Sequence, residues 1–401
     1  MAVILEFDES IANSVTSALG STSTVVTDAS QVIVHVAATA DPLVIIGPSV
    51  DSAVAVRVTA ATVKAQPIVG VIWLRRRVDT SIVLEAIRAG ASDVVGESDL
   101  PSLVAAAERV LGRANIAATA TGDPAAVGAT PRGTVTAVFA SKGGCGKTSI
   151  ATNLACLLSS EARTRVCILD LDLESGDVAL LMSLARGRSI LDLAALGNSV
   201  DGGSLAACMS AHPSGTYVLP APRRPEEAAG ITPALVSRVV ELATSMFDHV
   251  IIDCPPYATE HVLSVLDVAD HLALICTPDA ASVKNTAIAL EMLDELNFKG
   301  HTSLMINRAG DKVGITTADI SEALSYPVAC EIPSSLDLPL ATNSGRILTL
   351  THPRHPITAA LREWSVAINP TATVTSAAQA KTQSATASKR HRFFGKRVAT
   401  S

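Results

Sequence analysis

Before residue 113, short apolar runs alternate with segments whose apolar positions recur at helical spacing. AVILEF (2–7), PLVIIG (42–47) and PIVGVIWL (67–74) predict strands, and their unbroken apolar character is that of sheet buried on both faces. In TSIVLEAIRAG (80–90), Ile82, Val83, Ala86 and Ile87 share one helical face and Gly90 supplies the stop. DVV (93–95) predicts a short strand and LPSLVAAAERVL a last helix. Strand–helix alternation over residues 1–112 predicts a small doubly wound α/β domain.

The alternation resumes at TVTAVFAS (134–141), a strand of β-branched and small residues, followed by KGGCGKT (142–148) and the helical segment SIATNLACLLSS. Further apolar strands follow in RVCILDLDLESGD (165–177), DHVIIDCPP (248–256), HLALICTPD (271–279) and SLMINRAG (303–310). The pattern predicts a larger α/β domain with a mostly parallel sheet over residues 133–368. Between the two, RANIAATATGDPAAVGATPRG has neither a helical nor a strand period, so 113–132 reads as a linker. From 369 the chain is rich in Ala, Thr and Ser and reads as a disordered tail ending in KRHRFFGKR.

Composition narrows this picture. Hydrophobic residues make up 48% but aromatics only 3%, which excludes a chain disordered throughout and favours parallel strands covered by helices over an aromatic platform for single-stranded nucleic acid. The uncharged stretches are broken by Pro, Gly, Ser and Thr, so no membrane span is expected, and MAVILEFDES lacks the basic start of a signal peptide. None of the seven cysteines forms a C-x-x-C pair, as in a cytoplasmic protein that uses thiols as small apolar residues. The net charge of −7 hides an asymmetry. Lys381, Lys389, Arg390, Arg392, Lys396 and Arg397 are six positive charges beyond the last acid, Glu363, so the rest of the chain carries −13. The tail reads first as solvated; any attraction to lipid or nucleic acid belongs to it or to a local patch, with weak contact at an anionic membrane surface ahead of nucleic acid.

A strand, a glycine loop and a helix start form the context a phosphate-binding loop requires. Gly143, Gly144 and Gly146 let the backbone approach closely, so that N–H groups from 143 through Cys145, Thr148 and Ser149 surround phosphates at the helix N-terminus. Lys147 reaches the β- and γ-phosphates and Thr148 offers its hydroxyl to Mg²⁺, so ATP and Mg²⁺ are the expected ligands.

KGGCGKT, with Ser141 where the strict loop has Gly and with an added Lys142, resembles the deviant Walker A loop of the MinD/ParA ATPases. The resemblance implies that Lys142 crosses to the partner's nucleotide in an ATP-bound homodimer. It places Asp172 beside the attacking water, with Asp170 near the Mg²⁺ and Asp253 holding a Mg²⁺-bound water. It also places Asn307 on adenine, with CEIPSSLDLPLATNSGRIL (330–348) beside the base. Slow, partner-stimulated hydrolysis to ADP and phosphate is implied, and a non-hydrolysing ATP-bound scaffold remains the alternative.

The first domain resembles a response-regulator receiver, through strand–helix order and AIRAGASDVV, but Gly47 stands where the phosphoryl-accepting Asp belongs and Glu97 where a lysine belongs. With no acceptor, Asp8 and Glu9 read as a solvated turn, and the domain as a pseudo-receiver that binds protein partners. A pseudo-receiver joined to a MinD-like ATPase resembles the CpaE/TadZ proteins, which position Tad-type pilus or secretion machinery. Septum-site regulators of MinD type are the alternative.

Other readings fare worse. Iron proteins sharing the loop need two interface cysteines, and Cys208 stands without a partner; bacterial tyrosine kinases need a tyrosine-rich tail, whereas Tyr217, Tyr257 and Tyr326 all precede it. His352 and His355 read as loop residues, Arg75, Arg76 and Arg77 as a solvated strand end, and PAPRRPEE (220–227) as a surface loop.

Overall fold

The structure is a computed structural model; it describes residues 2–20, 23–39, 42–66, 69–121, 132–162, 164–184, 187–311 and 313–368. The expected tail and most of the second half of the expected linker lie outside the described residues.

The first unit is a five-stranded parallel sheet in the order β2-β1-β3-β4-β5, from β1 (Ala2–Leu5), β2 (Ser23–Val26), β3 (Leu43–Ile46), β4 (Gly70–Arg75) and β5 (Asp93–Gly96). This is the flavodoxin-like doubly wound order. Strand alternation divides the core into two: Val3, Leu5, Val44, Ile46, Val71 and Trp73 pack to one side, Ala2, Ile4, Leu43, Ile45, Ile72 and Leu74 to the other. β2 and the helix Ala29–Thr39 carry no pattern strong enough to show in the sequence.

Two residues correct expectations in this unit. Asp8 is no idle turn residue: its side chain accepts from the amides of Ser10 and Ile11 and caps the helix α1 (Glu9–Leu19). Arg75 is buried, not solvated. Strand alternation puts it on the face of Trp73, where its guanidinium lies 4.4 Å from the ring centroid and Nη1 donates to the carbonyls of Leu74 and Gly47.

A second correction concerns the linker. The helix Leu100–Thr121 continues through its first half, because alanine-rich sequence prolongs a helix that is already nucleated at little cost. It packs against the helices Gly202–Cys208 and Pro233–Met246 of the second unit. The approach is close: a methyl group at Gly112 would lie 2.6 Å from the Tyr217 hydroxyl.

The second unit is an eight-stranded sheet in the order β13-β12-β11-β6-β10-β7-β9-β8, parallel except for β8 against β9. Its strands are β6 (Thr134–Phe139), β7 (Val166–Asp170), β8 (Ser210–Ala211), β9 (Tyr217–Leu219), β10 (His249–Asp253), β11 (His271–Cys276), β12 (His301–Ala309) and β13 (Val328–Pro333). Both faces are buried. Val135, Ala137 and Phe139 of β6 meet the Pro233–Met246 side, whereas Val138 and Ala140 meet the helices Lys147–Ala162 and Pro356–Ile368. The expected mostly parallel α/β fold is thus present, with β6 at its centre and the strand carboxyl ends along one edge.

Candidate functional site

Side chains from five neighbouring strands converge on that edge. The chain leaves β6, turns through Gly144 (φ +76°) and Gly146 (φ +91°), and enters the helix at Lys147. Both glycines adopt the left-handed conformation that other residues resist. Above Gly143 and Gly144 a β-carbon would meet nothing within 4 Å, so this stretch of loop backbone is open to a ligand. Lys147 is buried, 7% exposed, whereas the side chain of Lys142 is 39% exposed.

Asp170 and Asp253 end adjacent strands in register, each 1% exposed. Asp253 Oδ2 accepts the Thr148 hydroxyl at 2.6 Å, while its Oδ1 is buried without a partner. Asp170 accepts from the amides of Val178 at 3.1 Å and Asp172 at 3.3 Å. Burial raises the pKa of both carboxyls above the usual range, each further opposed by a neighbouring aspartate; the Thr148 hydroxyl and the Lys147 ammonium offset this only in part at Asp253. Asp172 is half-buried, and its Oδ1 accepts the Ser175 amide. Acidic side chains crowded below an open loop, with an orphaned carboxylate oxygen, fit a hydrated cation. Among the described residues no cluster of three or more His, Cys, Asp or Glu forms a protein-only metal site. Magnesium shared with phosphates needs only one or two protein ligands, so the donor set fits.

Asn307, 4% exposed, lies beneath the loop: its amide nitrogen donates to the Cys145 carbonyl at 2.8 Å and its oxygen accepts the Arg308 amide at 2.9 Å. A β-carbon at Gly146 would come within 2.4 Å of that nitrogen. One amide hydrogen and one lone pair of Asn307 remain for another partner. Arg308, left-handed at φ +59°, donates to the Gly144 carbonyl at 3.2 Å.

Sequence reasoning missed Arg308 and Asp279. Asp279 follows β11, accepts Lys142 Nζ at 2.8 Å and the Thr277 hydroxyl at 2.7 Å, and caps the helix Ala280–Glu295 through the Ser282 amide. Partial burial resists its ionisation, but these hydrogen bonds prevail and bring its pKa to about 2. The D-A-A-S spacing announces the cap; nothing announces Lys142 as its partner.

Residues 133–368 match the ParA family model, described as the NUBPL iron-transfer P-loop NTPase. The chain belongs to the ParA family. Septum site-determining protein MinD of Thermotoga maritima is 27% identical over 135 residues, 32% of this chain and 49% of that protein. MinD of Synechocystis sp. is 25% identical over 117 residues, 28% of this chain and 44% of its own. This ParA-family chain therefore spans about half the length of the curated relatives it matches. In fold it is similar to a ParA family ATPase from Chlorobium tepidum, with a TM-score of 0.55 and 24% identity over 59% of this chain and 99% of that one. It is also similar to MinD of Pyrococcus horikoshii complexed with Mg-ADP, with a TM-score of 0.53 and 18% identity over 60% and 98%. All seven cysteines are buried, Cys208 included. Among the described residues no helix is long and apolar enough to cross a membrane.

Proposed function

We propose that this protein is an ATP-dependent dimerising switch that positions a membrane-associated assembly. The observation that carries the reading is the split between its two loop lysines. Lys147 is buried beneath the loop, where it serves its own subunit's phosphates; Lys142 is exposed at the loop's edge, where a facing subunit would come within reach. Gly143, Gly144, Cys145, Gly146, Thr148 and Ser149 supply the phosphate cradle.

When bound, Mg²⁺ would neutralise negative charge on the phosphates. Thr148 would ligate it directly; Asp253, already hydrogen-bonded to Thr148, and Asp170 would hold its waters. Asp172, half-buried with its Oδ1 held by the Ser175 amide, would orient the attacking water. Asn307 would fix the loop from below, with its spare amide hydrogen and lone pair turned to adenine.

Sedimentation of wild type and Lys142→Ala with Mg·ATP and Mg·ADP tests the switch. Dimer only for wild type, and only with ATP, is expected; a wild type that stays monomeric with ATP overturns it. Phosphate release faster for wild type than for Asp172→Ala supports hydrolysis, and equal rates would leave an ATP-bound scaffold.

The assembly is proposed to be a Tad-type pilus or secretion apparatus, in the manner of CpaE/TadZ proteins, with partners docking on the receiver-like unit. In support, Gly47 offers no phosphoryl acceptor, and the Glu6 carboxylate fills its surroundings by accepting the amides of Phe7, Asp8 and Ser49. The MinD matches favour septum-site placement as the second reading. Loss of surface pili in a deletion strain supports the first; misplaced septa with normal pili supports the second. Deleting residues 381–401 and repeating liposome and DNA binding tests the basic tail as a peripheral membrane contact.

A further inference from the structure

β12 carries one residue more than β13 where it meets the phosphate loop. Asn307 pairs with Ile332 and Ala309 with Pro333, so Arg308 is the extra residue, held left-handed at φ +59°. On a regular strand consecutive side chains leave by opposite faces, whereas an inserted residue re-aims its side chain. Here the side chains of Asn307 and Arg308 reach the same loop. They bond successive carbonyls: Asn307 Nδ2 donates to Cys145 at 2.8 Å and Arg308 Nη2 to Gly144 at 3.2 Å. No peptide bond among the described residues is cis, so each N–H points opposite the carbonyl that shares its plane. Drawing the Gly144 carbonyl toward Arg308 therefore turns the Cys145 N–H the other way. Asn307 does the same for the Gly146 N–H through the Cys145 carbonyl.

We propose that Arg308 is a positioning residue that presets the Cys145 amide for a phosphate oxygen. The inference rests on the phosphate-loop reading above and adds what fixes the direction of one donor. This peptide needs a restraint. Gly144, at φ +76°, precedes it, and glycine opposes rotation of the plane less than other residues do. A β-carbon on Gly144 would meet nothing within 4 Å, so the plane turns in open space. Such a rotation leaves both α-carbons, and the buried Cys145 side chain, where they are. The hydrogen bond from Arg308 supplies the restraint, while Asn307 holds the next peptide independently.

Arg308→Met tests this in the full-length chain, because it keeps a long stem and removes donors and charge together. The Arg308 side chain is exposed, so its loss opens no cavity. The chain has a single Gly-Cys and a single Cys-Gly pair, both in this loop. Carbonyl-¹³C glycine with ¹⁵N-cysteine therefore isolates the Cys145 amide, and the reverse labelling isolates that of Gly146. Without nucleotide, ¹⁵N relaxation should show the Cys145 amide more mobile in Arg308→Met than in wild type, with Gly146 unchanged. Mg·ADP should restore its order, at a dissociation constant about two- to tenfold above wild type, the worth of one exposed hydrogen bond. A direct pull of the guanidinium charge on phosphate would be screened by salt, so the loss of affinity must persist at about 1 M NaCl. A Cys145 amide as rigid as in wild type, equal loosening of both amides, or a loss of affinity that vanishes in salt overturns the inference while the loop reading stands. If wild type itself binds no nucleotide, the loop reading fails, and this inference with it.

Discussion

Replacing Asn307 with alanine separates two jobs that one side chain can hold. The resemblance to MinD/ParA loops assigns it to adenine; the structure ties it to the phosphate loop through the Cys145 carbonyl at 2.8 Å. Truncation leaves that carbonyl without its donor in a site only 4% exposed and removes the amide that packs against left-handed Gly146. A buried acceptor left unpaired costs about 1–3 kcal/mol. The loop recovers part of this in the free protein by relaxing, and a ligand must then restore the ordered form. At 1.4 kcal/mol per tenfold, the weakening of binding is about five- to 150-fold. Because the lost contact is to the loop, the factor should be the same for ATP, GTP and inorganic triphosphate with Mg²⁺. Titration calorimetry with the three ligands measures it. A loss confined to ATP, with triphosphate bound as in wild type, would refute the loop-holding argument and leave Asn307 as an adenine contact.

Other expectations follow from burial. Gly47→Ala would put a methyl group 1.8 Å from Glu6 Oε2, forcing that carboxylate off the three amides it satisfies; overpacking of this kind costs about 1–3 kcal/mol, and denaturant unfolding should show it in the first unit. Burial lowers the pKa of His212, His249 and His271, so their contribution to stability is present above about pH 6.5 and is lost as pH falls through the folded values. The thermal midpoint of His249→Gln should therefore gain on wild type as pH is lowered from about 7 to 5; a constant difference would refute this. Comparing variants matters here, because Asp170 and Asp253, raised by burial, act in the opposite direction over the same range. Gly146→Ala, with φ +91° and Asn307 Nδ2 at 2.4 Å, should abolish high-affinity nucleotide binding, read by the same calorimetry.

What could be read from sequence was what lies close together in it. The strand, KGGCGKT and the following helix are contiguous, so order and spacing reveal the phosphate loop. Asp170 and Asp253 lie far apart but each ends an apolar run, and parallel strands in register bring such ends side by side. The Lys142–Asp279 pair spans 137 positions and depends on β11 lying next to β6, an order that no periodicity encodes. Arg75 was legible in principle: two positions after Trp73 on a strand, it must share that residue's buried face. Three consecutive arginines obscured the alternation. The helix running past residue 112 was hidden for the opposite reason, since a stretch of Ala, Thr and Asn has no apolar face to reveal its period and forms by extending an existing helix.

The edge where these groups meet departs from the rule that buried polar atoms are satisfied. Asp253 Oδ1 has no partner, and two carboxyls with raised pKa lie in register under one buried lysine. Such an arrangement costs stability in the free protein, and a cation with its phosphates removes the cost by supplying the missing charge and the missing ligand together. Stabilisation by nucleotide should therefore depend on Mg²⁺ far more than on the base. Asp253→Asn, neutral at every pH, should melt higher than wild type without ligand and gain less from Mg·ADP. If wild type gains as much from ADP with chelator as from Mg·ADP, these carboxylates are satisfied some other way and the cation argument fails.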